Sequence, residues 1–429
     1  MPRHCAVVLA VVVSCLLPAP GAAQDDLRTR IEQELFTFGD CGAPLCLDVD
    51  NVHGNHFLPG VSEGNAAVIA FVTDAVGRAT ASVPLGATSS GATFTFVGGL
   101  PVRTSTSAGP VFSERAQTLG RNRFFLGISV TGIEFSSLNG VPLAGLRLNV
   151  AHEDGEPVGT FGDPFFENDV IMLDLAMDVS VLVGTVALTY GLADFIDLGV
   201  AVPLVRTSVR GVNQAQILPF DESAPHHFGG DPDDPILSAI ASMDGSASGL
   251  GDVVGRVKVN LAQGSRIGAA LLAEGRFPTG DEENLLGSGS TEIRGLGILS
   301  AQFGSFAPHL NAGYAVRSDE TRNDAVLASL GFDNLLTDWA TLAAGVLTEW
   351  QVGAAEFELP PDIVWHTPFE RRLEATSIPE KRNNIINATV GTKFTVRGGT
   401  VLTTNVMFPL REVGLQPDVY WTLGLDFSF

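Results

Sequence analysis

Val419-Tyr-Trp-Thr-Leu-Gly-Leu-Asp-Phe-Ser-Phe429 closes the chain, and its reading decides the fold. In an extended backbone Val419, Trp421, Leu423, Leu425, Phe427 and Phe429 fall on one face. Tyr420, Thr422, Gly424, Asp426 and Ser428 fall on the other. A half-buried strand of a soluble protein shows the same alternation but seldom runs so far. A tilted strand crossing a bilayer needs roughly 9–11 residues, which is what this one supplies.

The same period of two recurs upstream. Val253, Val257, Val259 and Leu261 oppose Asp252, Arg256, Lys258 and Asn260. Ile267, Ala269, Leu271, Ala273 and Phe277 oppose Glu274 and Arg276, and Leu310, Ala312, Tyr314 and Val316 oppose His309 and Asn311. Ala388, Val390, Phe394 and Val396 oppose Asn387, Thr389 and Lys393. In water such apolar faces require a covering layer of helices or a second sheet. Few amphipathic helices are legible, so lipid covers them and ring closure pairs the backbone groups.

The expected fold is therefore all-β, an antiparallel transmembrane β-barrel of about 14 strands with a short N-terminal extension or plug. Residues 1–23 read as a signal peptide, 24–78 as a periplasmic extension or plug, and 79–429 as the barrel. The less regular strands lie between Ala79 and Val97 and around Ala144 to Ala151. Connections alternate in length, as such barrels require. Leu192–Ile196, Gln263–Ser265, Gly304-Ser305, Asn334–Thr337 and Arg397–Gly399 are short. Glu153–Asn168, Val212–Ser248, Pro278–Ser290 and Gly353–Lys381 are long, acidic or Pro/Gly-rich. Short turns are periplasmic in this reading, and an even strand count puts both termini at that end.

Composition agrees with a membrane barrel. Charged residues are 17% of the chain against about a quarter in soluble globular proteins, and hydrophobic residues are 45%. Downstream of the leader no apolar run is long enough for a helical span. The net charge of −23 repels nucleic acid and excludes it as a partner.

The leader has Arg3, an apolar core from Cys5 to Leu17, and small residues from Ala19 to Ala23 that fit cleavage after Ala23. Its core is too short for a membrane anchor. Val12-Val-Ser-Cys15 is a poorer, lipoprotein-like alternative. Cys41 and Cys46 remain in the mature chain and form a plausible local disulfide in an oxidising compartment.

Four segments resemble a bacterial outer-membrane family named for the MetA pathway of phenol degradation. They are GPVFSERAQTLGRNRFFLGIS at 109–129, SGLGDVVGRVKVNL at 248–261, GRFPTGDEENLLGSGS at 275–290 and PHLNAGYAV at 308–316. That family is similar in architecture to the long-chain fatty-acid transporters of the outer membrane. The resemblance spans roughly residues 80–429. It implies a barrel that takes up hydrophobic or aromatic compounds, and it carries over no binding residues. Within such barrels the terminal aromatic Phe429 resembles the signal read by the insertion machinery.

Candidate lumen-lining residues are Arg256, Lys258, Glu274, Arg276, Glu292, Arg294 and His309, on neighbouring strands. They make either a solute-selecting constriction or a structural salt-bridge ladder, the second being the plainer reading. His226-His227 with Asp231, Asp233 and Asp234 match no defined metal site, and nearby prolines suggest an exposed loop. Asp48-Val-Asp50-Asn-Val-His53-Gly-Asn-His56 departs from a calcium loop at Val52. Neither metal nor cofactor is expected. No G-x-S-x-G occurs and Gly249-Leu-Gly251 precedes no helix, so no enzyme is expected either. Trp339, Trp350, Tyr420 and Trp421 read either as solute-stacking groups or, as the plainer reading, as the interfacial girdle.

The function expected is passive passage of small, hydrophobic or aromatic solutes across the bacterial outer membrane, with the lipid bilayer and the insertion machinery as partners. A structural or adhesive surface barrel, or an outer-membrane hydrolase, is the alternative.

Overall fold

The computed structural model describes residues 26–39, 41–47, 57–59, 63–81, 94–97, 100–103, 107–151, 169–219, 226–231, 233–318, 322–354, 359–365, 370–396 and 400–429. The leader and the Asp48–His56 segment lie outside the described residues.

Twelve strands close into a ring. In chain order they are β1 (Phe124–Leu138), β2 (Val170–Ala193), β3 (Ile196–Leu218), β4 (Val253–Gln263), β5 (Ile267–Phe277) and β6 (Glu292–Ala301). There follow β7 (Phe306–Arg317), β8 (Ala325–Thr337), β9 (Ala340–Gln351), β10 (Ile385–Thr395), β11 (Thr400–Pro409) and β12 (Leu415–Ser428). Each is antiparallel to the next, and β12 returns to β1 with Leu423 opposite Val130 and Phe427 opposite Leu126. Phe124 N–H donates to Phe429 O at 2.8 Å and Phe429 N–H to Phe124 O at 3.0 Å, which seals the seam.

The count of about 14 is corrected to twelve among the described residues. Phe94–Val97 pairs only with Leu100–Arg103, in a hairpin apart from the ring. Leu146–Ala151 pairs with β2 opposite Val170–Leu175, above the level where β1 leaves it. Part of the expected loop Val212–Ser248 is strand: β3 runs on to Leu218, and Ser238–Leu250 pairs with it. That strand continues into β4, broken at Gly251-Asp252, where Gly251 N–H reaches Pro203 O at 2.9 Å. Alternation marks an extended half-buried segment but not whether it spans the bilayer or stands beyond it.

The outward face shows where the bilayer ends. On β2 and β3 the exposed residues near the short turns are Leu188, Leu198 and Val200. Further along the same face come Asp178, Arg206 and Arg210. These lie at matching heights, Arg206 between Leu182 and Ser248 and Arg210 between Asp178 and Asp244. Beyond Arg206 the outward face is largely polar, with Arg210, Gln214, Ser242 and Asp244 around exposed Val212 and Ile240, and we read this wall as standing above the lipid. Trp339, Trp350 and Trp421 are exposed on the outer surface. Among the described residues no helix is long and apolar enough to cross a membrane. A closed ring with an apolar outside and charged residues inside is a bacterial outer-membrane barrel.

Helix α1 (Leu27–Glu34) is capped by Asp26, whose carboxylate accepts Thr29 N–H at 2.8 Å. It packs on the inward face of the tall wall. Leu27, Ile31 and Leu35 join Val209, Ala215 and Met243 in one buried cluster. The approach requires glycine: a Cβ on Gly211 would lie 2.7 Å from Leu35 Cδ2. Asn213 Nδ2 donates to Leu35 O at 2.9 Å, and Arg28 bridges Asp74 of helix α2 (Glu63–Ala81) at 3.0 Å. Cys41 and Cys46 are disulfide-bonded just beyond. The first described residues thus sit at the long-loop end. The barrel's own ends, Phe124 and Phe429, meet at the short-turn end as expected, and the chain's N-terminus lies outside the described residues.

Candidate functional site: a strapped lumen

Segment 107–121 crosses the lumen near the short turns, as a strap, before entering β1. Its polar groups meet inward residues of successive strands. Ala108 N–H donates to Thr341 Oγ1 at 3.1 Å, Glu114 N–H to Asn311 Oδ1 at 2.8 Å, and Ala116 N–H to Ser300 Oγ at 3.0 Å. At the far end Leu119 N–H meets both Asp197 carboxylate oxygens. Two ion pairs tighten the fit: Lys258 with Glu114 at 3.2 Å, and Arg115 with Asp333. Lys393, fully buried, donates to Pro110 O at 2.7 Å and stands 4.0 Å from Asp426.

The candidate charges divide into two groups. Arg256, Glu274 and Arg294 lie at one height on β4, β5 and β6. Arg276 and Glu292 lie one level nearer the long loops, joined by Arg317 of β7. Arg256 meets Glu274 at 2.5 Å and Arg317 meets Glu292 at 2.6 Å. Arg294 also pairs with Glu292, while Arg317 turns its other nitrogen to Glu349 at 2.5 Å. Alternating signs on adjacent strands place each guanidinium beside a carboxylate, which is what buried charges need. Arg322 enters from the β7–β8 loop, 3.6 Å from Glu292. Burial pushes its guanidinium down from its ordinary value, and neighbouring Arg317 pushes the same way.

Lys258 and His309 belong to the strap instead. His309 Nδ1 is 3.8 Å from Asp333, the carboxylate that also accepts Arg115 and the Ser107 hydroxyl. The carboxylate stands between serine and histidine, so Ser107 gives its proton to Asp333. A nucleophilic serine instead needs the imidazole next to it. Glu114, Arg115, Asp333, Lys393 and Asp426 were not singled out by sequence. Asp333 was legible as an inward polar residue on a strand beside His309. The strap does not alternate and gave no such signal.

Above the strap lies a cavity of about 160 Å³. Phe112, Leu296, Leu327, Leu347, Ile385 and Tyr420 make its apolar lining. Arg294, Glu114, Glu349, Asn311, Asn387, Ser329 and Thr348 make the polar part. Tyr420 is corrected here: it is buried in the lumen, its hydroxyl donating to Gln416 Oε1 at 3.3 Å, and takes no part in the outer girdle.

The remaining candidates diverge. His226 and His227 are buried, not loop-exposed, and His226 Nδ1 contacts Asp169 Oδ2 at 2.7 Å, while Asp231, Asp233 and Asp234 face solvent. No group of three or more His, Cys, Asp or Glu among the described residues is placed to hold a metal ion.

The segments that carry the family resemblance converge in space. Residues 109–121 form the strap, and 308–316 lie in β7, whose Asn311 holds it. Asp252 of the second segment accepts Gly280 N–H at 3.1 Å, Ser288 N–H at 2.9 Å and the Ser288 hydroxyl at 2.7 Å from the third.

No family model and no curated protein matches the chain. Among solved structures it is similar to an outer membrane channel from Pseudomonas putida F1, 14% identical over 74% of this chain and 99% of that one, TM-score 0.43. It is similar to a Pseudomonas aeruginosa FadL homologue, 12% identical over 72% and 89% of the two chains, TM-score 0.32. The CymD monoaromatic hydrocarbon channel is 10% identical over 72% and 88%, TM-score 0.31. These are likenesses of one barrel to another and do not say what passes through this one.

Proposed function

We propose that the chain is a passive channel for small hydrophobic compounds, aromatic ones included, with its short turns in the periplasm. The observation that carries this is the cavity above the strap, an open hollow of mainly apolar surface in which Phe112 and Tyr420 stand beside a few charged and amide groups. Apolar walls with a few convergent polar groups are what a site for a mainly hydrophobic molecule looks like. A general aqueous pore has no need of them.

In this reading residues 1–23 leave as a signal peptide, the insertion machinery reads β12 through Phe429, and residues 24–78 together with the strap act as the plug. The Arg256–Glu274–Arg294 and Arg276–Glu292 pairs stiffen the wall, while Lys258 and His309 hold the strap. The test is uptake of naphthalene, followed by its fluorescence, into cells carrying the barrel in an outer membrane otherwise impermeable to it. Uptake above that of cells lacking the barrel is expected. Equal uptake overturns the reading and leaves a structural or adhesive barrel.

A further inference from the structure

Two hollows of the lumen lie on opposite sides of the strap. Phe112 and Glu114 face the larger one, toward the long loops. Val111 faces a second, of about 50 Å³, toward the short turns. β12 borders both. Tyr420 lines the upper hollow, and Thr422, Gly424 and Asp426, the next inward residues on the same strand, line the lower.

The strap leans to one side. From Ala108 to Ala116 the bonds described above run to β4, β6, β7, β8, β9 and β10. The opposite wall carries mostly small groups above the Phe125 ring. Gly127, Ala187 and Ala201 lie level with Asp426 on β1, β2 and β3. One level up, Gly424 has Ser129 and Thr185 beside it in turn. The lower hollow is the space between Val111 and this wall.

We propose that solute leaves the upper cavity past Tyr420 and descends along β12, between Val111 and the small-residue wall, while the strap stays in place. This rests on the channel reading. Lys393 pins the near edge of the route through Pro110 O, and Asp426 faces it across the gap. Both charges of that pair are already matched to each other, so a charged solute beside it would be desolvated without a counter-ion, and the route passes uncharged molecules. Its wall along β1, β2, β3 and β12 is mostly of groups no larger than threonine, with the Phe125 ring at its lower end.

Two kinds of variant test this by naphthalene uptake in cells, with heat-modifiable gel mobility as the check on folding. A Cβ on Gly424 would sit 3.5 Å from Thr403 Cβ and 3.6 Å from Ser129 Cβ, ordinary contact, so a longer side chain grows into the hollow. Gly424→Leu and, independently, Ala187→Leu are expected to cut uptake at least about tenfold in folded barrels, a barrier change of roughly 1.4 kcal/mol. The second kind staples the strap to its own side. A Cβ on Gly268 would lie 3.1 Å from Ala116 Cβ, a few tenths of an ångström from disulfide spacing. The oxidised Ala116→Cys/Gly268→Cys pair is expected to keep wild-type uptake. Folded Gly424→Leu and Ala187→Leu barrels with full uptake overturn the route. So does a staple that stops uptake until it is reduced, because the strap then has to move. If the wild-type barrel itself takes up nothing, the channel reading falls, and the route with it.

Discussion

Glu292 stands among guanidinium groups: Arg294 and Arg317 donate to it, Arg322 approaches from the loop, and Arg276 is its cross-strand partner. A buried cation whose partner is removed costs roughly 3–5 kcal/mol, far more than the intact pair is worth. Glu292→Gln is therefore expected to destabilise the folded barrel by about that amount in urea unfolding from lipid vesicles. Glu349→Gln is expected to cost clearly less, since Arg317 keeps Glu292. Equal losses would mean that the ladder is not organised around Glu292. Asp252 offers a second test. It gathers three donors of the 278–291 connection, and that connection carries buried Leu285 and Leu286 into the core beside α1. Asp252→Ala leaves those donors without an acceptor, at about 1–3 kcal/mol for each that stays buried. Glutamyl endopeptidase should then cut at Glu282-Glu283 faster by roughly fivefold to a hundredfold. An unchanged rate would show that packing alone holds the connection.

At the scale of the strand, side chains were legible and boundaries were not. The two faces of β12 read from Val419 to Phe429 are those observed: Val419, Leu423 and Phe429 are exposed while Thr422 and Asp426 are buried. A period of two fixes sides because neighbouring side chains point oppositely whatever covers them. It does not fix what lies on each side of a residue able to live on either. Tyr420 was therefore assigned to the girdle although its place in the alternation put it inside. Nor does the period say where a strand leaves the bilayer, so Leu146–Ala151 was taken for a spanning strand and Ser238–Leu250 for a loop. That information lies in the composition of the outward face, which turns from Leu198 and Val200 to Arg206 and Arg210 along one strand. Leu423→Arg, on the lipid face, is expected to cost about 2–4 kcal/mol in the same unfolding assay. Val212→Arg, on the outward face beyond Arg206, is expected to cost less than about 1 kcal/mol. Comparable costs would move the bilayer boundary up the wall.

The whole molecule is a ring closed from within at two levels by different means. At the long-loop end α1 docks mainly through apolar packing, with Leu27, Ile31 and Leu35 fully buried. At the short-turn end the strap is held by buried polar groups, above all Lys258 with Glu114 and Arg115 with Asp333. That difference decides which closure can be released without unfolding the ring. The ring depends on strand pairing, to which these two pairs contribute nothing. Replacing Arg115 and Lys258 together by methionine keeps similar apolar stems and strands two buried carboxylates. Each costs several kcal/mol while dry, and that cost is relieved if the strap swings into water. The double variant should keep the gel mobility of a folded barrel. Its single-channel conductance in planar bilayers should rise above wild type, because the lumen is then open to ions. Each single variant should give a smaller rise, since one pair still holds. Wild-type conductance in the folded double variant would mean that the main-chain bonds to Thr341, Asn311 and Ser300 suffice to keep the strap in place. The ion pairs would then serve its register and not its retention.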